Sequence, residues 1–304
     1  MSRYLPRSST GRSKAAMSGK PTESRRVRRL RDGIIKVIPR FPNDKASKTK
    51  LEQMSFASLL IVFLSWQMRF VRQGKRTVAI RPTASHDPRW KSLQPGIERF
   101  LKRVENGDDL CPHLSLGAWR EGYTPAAQQI GAAVDRWADK DFLLNVMGLH
   151  HFHLGTKLEK TGFIERTDEV LFAFVTRTTF DVLGIFDHSV FENRDSAAMP
   201  AERARLWQLY DDLRAEQSPP GAYVVANMIS LSGHQTGIVL LAQRYGRWIK
   251  ELDPKLDDRE FLAKTFYTDG MPKKSKLEWA FQHLDLLLAD EPNNAYFLVQ
   301  RAPY

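Results

Sequence analysis

The sequence predicts an α+β fold, with a helical N-terminal part followed by antiparallel sheet and helices on one face. Three observations carry this. Apolar residues recur at helical spacing in several segments before residue 140. From residue 149 to 186 the pattern changes to short runs rich in Phe, Val and Leu, separated by polar or Gly-containing links. A hydrophobic content of 42% over 304 residues supplies enough apolar surface for one large or two small packed cores.

The elements follow in order. Leu30, Ile34 and Ile38 fall at i, i+4, i+8 and predict a helix from Arg25 to Ile38, ended by Pro39 and Pro42. Lys50 to Val71 reads as one long helix. Its apolar run from Met54 to Trp66 is shorter than the ~20 residues that a membrane span needs. Arg76 to Arg81 is a strand candidate, and Gln94 to Val104 and Pro125 to Asp139 read as helices. Leu149 to Leu154, Glu169 to Val175 and Phe180 to Phe186 read as three antiparallel strands. A helix from Pro200 to Gln217 ends at Ser218-Pro219-Pro220-Gly221. Tyr223 to Leu231 and Gly237 to Ala242 are read as strands, Asp257 to Phe266 as a helix, and Trp279 to Ala289 with Ala295 to Gln300 as a final strand pair.

This organisation divides the chain into a disordered basic arm (1–24), a basic helical region (25–85), an α+β domain (86–195) and a C-terminal hairpin–helix–hairpin part (196–304) packed on the same core. A single cysteine, Cys111, excludes an internal disulfide and fits a reducing, cytoplasmic compartment. No Walker A loop, dinucleotide glycine motif, His-Glu-x-x-His or Gly-x-Ser-x-Gly occurs, which removes the commonest nucleotide-binding and hydrolase classes.

The net charge is +11 and is unevenly placed. Residues 1–50 hold fifteen Lys/Arg against three acids, and the remaining chain is nearly neutral. Arg25, Arg26, Arg28, Arg29 and Arg31 form the densest cluster and point to contact with RNA or another polyanion, because each guanidinium can pair a phosphate oxygen. A solvated basic tail is the plain alternative. Removal of residues 1–31 is expected to leave the fold intact.

The chemically loaded stretch is Gly148-Leu-His-His-Phe-His-Leu-Gly155. On a strand, His151 and His153 share one face and His150 takes the other. Arg166-Thr167-Asp168 and Asp187-His188-Ser189 follow near the ends of the next two strands. Antiparallel pairing brings His151, His153, Asp168 and His188 together. Imidazoles with a reference pKa of ~6.5 can exchange protons near neutral pH. Internal transesterification of RNA needs one group to take the 2′-OH proton, another to protonate the leaving oxygen, and a cation such as Arg166 or Arg177 to steady the phosphorane.

These residues resemble the bacterial ribonuclease toxins of the RelE/YafQ type. The resemblance covers Leu149 to Phe191. Asp168 with Val170-Leu171-Phe172 matches the family's aspartate and second strand, and Val182 to Phe191 matches its third strand and histidine. Phe172 stands where the family has tyrosine, Phe191 follows His188 one position early, and the chain is much longer than such a toxin. The resemblance implies an endoribonuclease without cofactor, restrained in the cell by a neutralising protein partner. Other readings stay open: a zinc or iron site on His151, His153, His188 and Asp168; a histidine-triad nucleotide hydrolase, which would need His where Leu149 stands; a non-catalytic polyanion-binding protein; or plain hydrogen-bonded core histidines, the reading favoured for His150.

Overall fold

The computed structural model describes residues 23–125, 143–192, 199–216, 218–219, 221, 228–230 and 233–303. The predicted helix from Pro125 to Asp139 after its first residue, most of the strand from Tyr223 to Leu231, and the arm up to residue 22 lie outside these residues. The class is α+β: the N-terminal part is helical and two sheets follow. Among the described residues no helix is long and apolar enough to cross a membrane.

Helix α1 (Arg25–Val37) starts where the Ser24 side chain accepts a hydrogen bond from the backbone N–H of Val27. It buries Leu30, Ile34 and Ile35 and leans on the second sheet. The arginine cluster is therefore the first turns of a packed helix. Arg26 bonds Asp257 and the carbonyl oxygen of Leu277, Arg29 pairs with Glu278, and Arg31 bonds Glu23 and the Met54 carbonyl. Residues 25–31 are not separable from the fold.

The single helix expected from Lys50 to Val71 is two. Helix α2 (Lys45–Gln53) is capped by Asp44 and stops at Met54, which is extended at φ −60° and ψ 147°. Ser55 then caps α3 (Phe56–Gln67) by accepting from Ser58 N. A serine that can satisfy an orphan N–H makes the break inexpensive. Helix α3 is apolar nearly all round and buries Leu59, Leu60, Val62, Phe63, Leu64 and Trp66.

The first sheet comprises β1 (Thr77–Ile80), β2 (Leu149–His153), β3 (Glu169–Val175) and β4 (Thr179–Asp187) in the order β1-β4-β3-β2. The three later strands pair antiparallel, as expected, and β1 adds to β4 in parallel. Between β1 and β2 lie α4 (Pro82–Ser85), α5 (Trp90–Asn106), α6 (Leu116–Arg120) and α7 (143–147 among the described residues). Phe172 pairs with Gly184 but Ala173 with Val182, so Leu183 is an extra residue, a β-bulge. The bulge lets Phe180, Val182 and Ile185 join one core while Leu183 and Phe186 join the other.

The larger core lies between this sheet, helices α1, α3 and α5, and the second sheet. In it, Phe100 of α5 packs on Phe152 and Phe180. The smaller core covers the opposite face with Leu206, Tyr210 and Leu213 of α8 (Ala201–Glu216).

Two predicted strands change identity. Gly237 to Ala242 is part of α9 (Thr236–Leu252), whose Ile238, Leu241, Ala242, Tyr245 and Ile249 form one buried helical face. Trp279 to Ala289 is a hairpin of β5 (Glu278–Gln282) and β6 (Asp285–Asp290), reversing at His283, which adopts φ 56°. With β7 (Ala295–Gln300) they make a sheet ordered β5-β6-β7, after α10 (Arg259–Thr265), whose cap is Asp258.

The two sheets are joined at Asp285. Its buried carboxylate accepts from Arg72 at 3.0 Å, from both Nη atoms of Arg177 at 3.0 and 2.5 Å, and from the backbone N–H of Ala302 at 2.8 Å. Burial alone would raise its pKa, but these donors and the two guanidinium charges hold it below the usual carboxylate range. We expect Asp285→Asn to cost roughly 3–5 kcal/mol in denaturant unfolding, since two guanidiniums lose their partner. A lowered carboxylate pKa contributes stability that is present above the unfolded value of ~3.9 and lost as pH falls through the folded value. The mutant should therefore lose less stability than the wild type on acidification. Truncation offers a second test. Deletion through residue 22 should leave Tm unchanged, whereas deletion through residue 31 removes Leu30 and the Arg26 contacts and should cost at least ~2 kcal/mol.

Candidate functional site

The C-terminal end of β4 builds the histidine site. Asp187 turns the chain by accepting from the Ser189 N–H at 2.8 Å and from its hydroxyl at 2.5 Å. Residues His188–Phe191 then form a single 3₁₀ turn. In such a turn side chains three apart eclipse, so His188 and Phe191 face the same way, with ring centroids 5.9 Å apart. β2 presents His151 and His153 from the same face. His153 stacks on His188 at 5.8 Å and 25°, and His151 lies edge-on to His153 at 6.4 Å while packing on Phe191 at 4.8 Å. The three imidazoles are thus brought together, as strand pairing predicts.

Their surroundings differ. His153 is buried at 2% exposure, whereas His151 and His188 are half-buried. Behind them, His113 Nδ1 lies 2.8 Å from the carbonyl oxygen of His153, to which it donates, and Phe100 packs on its ring.

His188 is oriented by Asp168, but not by its carboxylate. The backbone carbonyl of Asp168 accepts from His188 Nδ1 at 2.8 Å, and the carboxylate is exposed. This bond places the proton on Nδ1 and leaves Nε2 as the basic nitrogen. Nε2 is buried and, among the described residues, has no hydrogen-bond partner.

Arg166 is exposed two residues before Asp168. Arg177 is elsewhere. It sits at the β3–β4 turn, the far end of β4 from His188, and is held by Asp285 and by the carbonyl of Ala302. No open space lies above Gly184, since a Cβ there would lie 3.0 Å from the Phe186 ring and 3.6 Å from Leu209. Arg203, which the sequence did not single out, is buried on α8 and donates to the carbonyl of Glu192, next to Phe191. Among the described residues no group of three or more His, Cys, Asp or Glu is arranged to hold a metal ion. His150 faces the other core and donates from Nε2 to the Met68 carbonyl at 3.2 Å, the structural role expected for it.

A second candidate surface surrounds the N-terminus of α1. A cleft of about 1050 Å³ is lined by Arg25, Arg26, Arg29, Arg259, Lys273, Lys274 and Lys276, with Asp257 and Glu278 the acids facing it. Arg25 and Arg28 are exposed, whereas Arg26, Arg29 and Arg31 are tied by the contacts given above. Lys273, Lys274 and Lys276 project from a loop anchored by Asp290. That wholly buried carboxylate accepts from the Lys276 N–H at 3.1 Å, from Asn293 at 2.7 Å and from the hydroxyl of Tyr267. The sequence signal for this loop was Lys273-Lys274-Ser275-Lys276, far from the arginines in the chain.

No protein-family, curated-protein or solved-structure comparison gives a match for this chain.

Burial lowers the His150 pKa to about 4. We expect its ring to stay neutral from pH 8 down to pH 5 in NMR titration. Above the unfolded value of ~6.5 the group costs no stability. Between that value and 4 the unfolded chain takes up the proton, so stability falls as pH falls. A His150→Phe variant that folds should show a weaker loss of stability over that window.

Proposed function

We propose that this protein works in the cytoplasm as a nucleic-acid-binding endoribonuclease that cuts RNA by metal-independent histidine acid–base chemistry. The observation that carries the reading is the tautomer-fixed His188 stacked beside His153 and His151 at one end of the sheet. His188, with Nδ1 committed to the Asp168 carbonyl, is the base for a 2′-hydroxyl through Nε2, a covered atom that the substrate must uncover on binding. His151, half-buried at the rim, is the acid for the leaving 5′-oxygen. His153 is buried beneath them and positions both rings. Arg166, exposed two residues before Asp168, is the cation for the phosphorane, and Arg177 is withdrawn from that role. The resemblance to RelE/YafQ-type toxins agrees with this chemistry and brings with it a neutralising protein partner. The cleft around Arg25, Arg26, Arg29 and the 273–276 loop supplies the polyanion contact.

The burial of His153 at 2% exposure favours a second reading, in which the cluster is structural and the protein only binds polyanions.

One pair of variants separates them. His188→Asn can keep the bond to the Asp168 carbonyl while removing the titratable nitrogen. It should retain Tm within a few degrees, remain folded, and lower RNA cleavage by about 10²–10⁴-fold. Cleavage should be insensitive to chelators. If purified wild type cuts no RNA in any context, including on ribosomes, and His188→Asn loses stability, the catalytic reading fails. Separately, Lys273→Ala, Lys274→Ala and Lys276→Ala together should weaken single-stranded RNA binding and reduce the salt slope by roughly 2, at about 0.7 for each phosphate contact.

A further inference from the structure

A cavity of about 240 Å³ lies at the start of β2, beside Gly148 and His150, whereas the histidine site lies toward its end at His153. Its apolar walls include Met68, Met147, Phe174 and Leu213. Four arginines line it, namely Arg72, Arg76, Arg177 and Arg214, and no Asp or Glu is among its described lining residues. Two of the four are compensated from outside the cavity, because Arg72 and Arg177 share Asp285.

Arg76 is not. It is buried at 7% exposure, and its three hydrogen bonds all run to backbone carbonyls: Thr176 at 2.8 Å, Gly74 at 2.9 Å and Arg72 at 2.6 Å. Among the described residues no carboxylate pairs with it. A guanidinium carries five N–H donors, so two remain. Neutral carbonyls satisfy hydrogen bonds but leave a desolvated charge uncompensated, a costly arrangement that an anion would relieve. Burial and the neighbouring Arg72 charge push its pKa down, in line with that cost. Arg214 likewise has no described carboxylate partner, and its Nε is buried without a hydrogen bond.

We infer that this cavity is a binding site for a small organic anion with an apolar body, of the aryl- or alkyl-carboxylate class, whose carboxylate neutralises Arg76 and Arg214. Mostly apolar lining with a few convergent charges is the ordinary composition of small-molecule sites, and 240 Å³ is near the lower limit of their size. Neutral His150 and His283 add no competing charge to the wall: each donates from Nε2 to a backbone carbonyl, of Met68 and of Phe70 respectively. The site is independent of the proposed ribonuclease chemistry and adds small-molecule binding to the protein.

The test is calorimetric titration and thermal shift of the full chain with phenylacetate and hexanoate, each beside its own uncharged amide. At least one carboxylate should bind saturably and raise Tm, with its amide about tenfold weaker or worse. Arg214→Gln should reduce the preference for the anion while leaving the unliganded Tm nearly unchanged. Arg76→Gln should do so more strongly, and if it fails to fold, Arg214→Gln carries the test alone. Lys273→Ala with Lys274→Ala, in the distant basic cleft, should leave carboxylate binding unaltered. Equal affinity for carboxylate and amide, no binding of either carboxylate, unchanged binding in Arg214→Gln, or loss of binding in the lysine variant would each overturn the proposal.

Discussion

Asp285 is the constraint on which the architecture rests. A carboxylate at 5% side-chain exposure is stable only if its charge is met, and here two guanidiniums and a backbone N–H meet it. The donors come from three places: the segment after α3, the β3–β4 turn, and the chain beyond β7. The acceptor is on β6. One buried charge therefore fixes the second sheet against the first and returns the C-terminal strand to the same point. Removing either side would leave an unpaired charge in the larger core, so the two sheets are held in one relative placement.

That placement leaves β4 buried on both faces, and its bulge at Leu183 has a consequence for the histidine site. A regular strand would send Val182, Gly184, Phe186 and His188 to one side. With Leu183 as the extra residue, Val182 stays with the larger core while Phe186 joins the smaller one. The strand thus ends with Phe186 on the face that β2 gives to His151 and His153. The Asp187 cap and the 3₁₀ turn complete the geometry by setting His188 and Phe191 side by side.

Much of this was legible in the sequence because it is local. Helix α1, strand β3 and the pairing of the three antiparallel strands follow from periodicity and turn residues, and so does the meeting of His151, His153 and His188. What escaped depends on distant partners or on ambiguous short patterns. Gly237 to Ala242 is an apolar run too short to reveal its period, and only Tyr245 and Ile249 beyond it disclose a helix. His283 makes a hairpin without Gly, Asn or Pro, so no turn signal marks it. Arg177 looked like a phosphate ligand by its nearness in sequence to the strands, yet its partner is 108 residues away. At Asp168 it is the backbone carbonyl, not the carboxylate, that orients His188, a role that any residue there can fill.

The same distinction governs the basic charge. Counting arginines in residues 1–50 predicts a polyanion-binding tail, but a charge acts on a ligand only if the fold has not already used it. Arg26, Arg29 and Arg31 spend part of their donor capacity on Asp257, Glu278, Glu23 and backbone carbonyls. The Arg26 and Arg29 contacts fix α1 against β5 and the 253–257 turn, and so bring the exposed Arg25 opposite the lysines of the 273–276 loop. The inward arginines act as struts for the outward ones. A tail of equal charge would offer phosphates a diffuse attraction, whereas a helix end facing an anchored loop offers a cleft with its cations already placed, and ordering them costs less on binding.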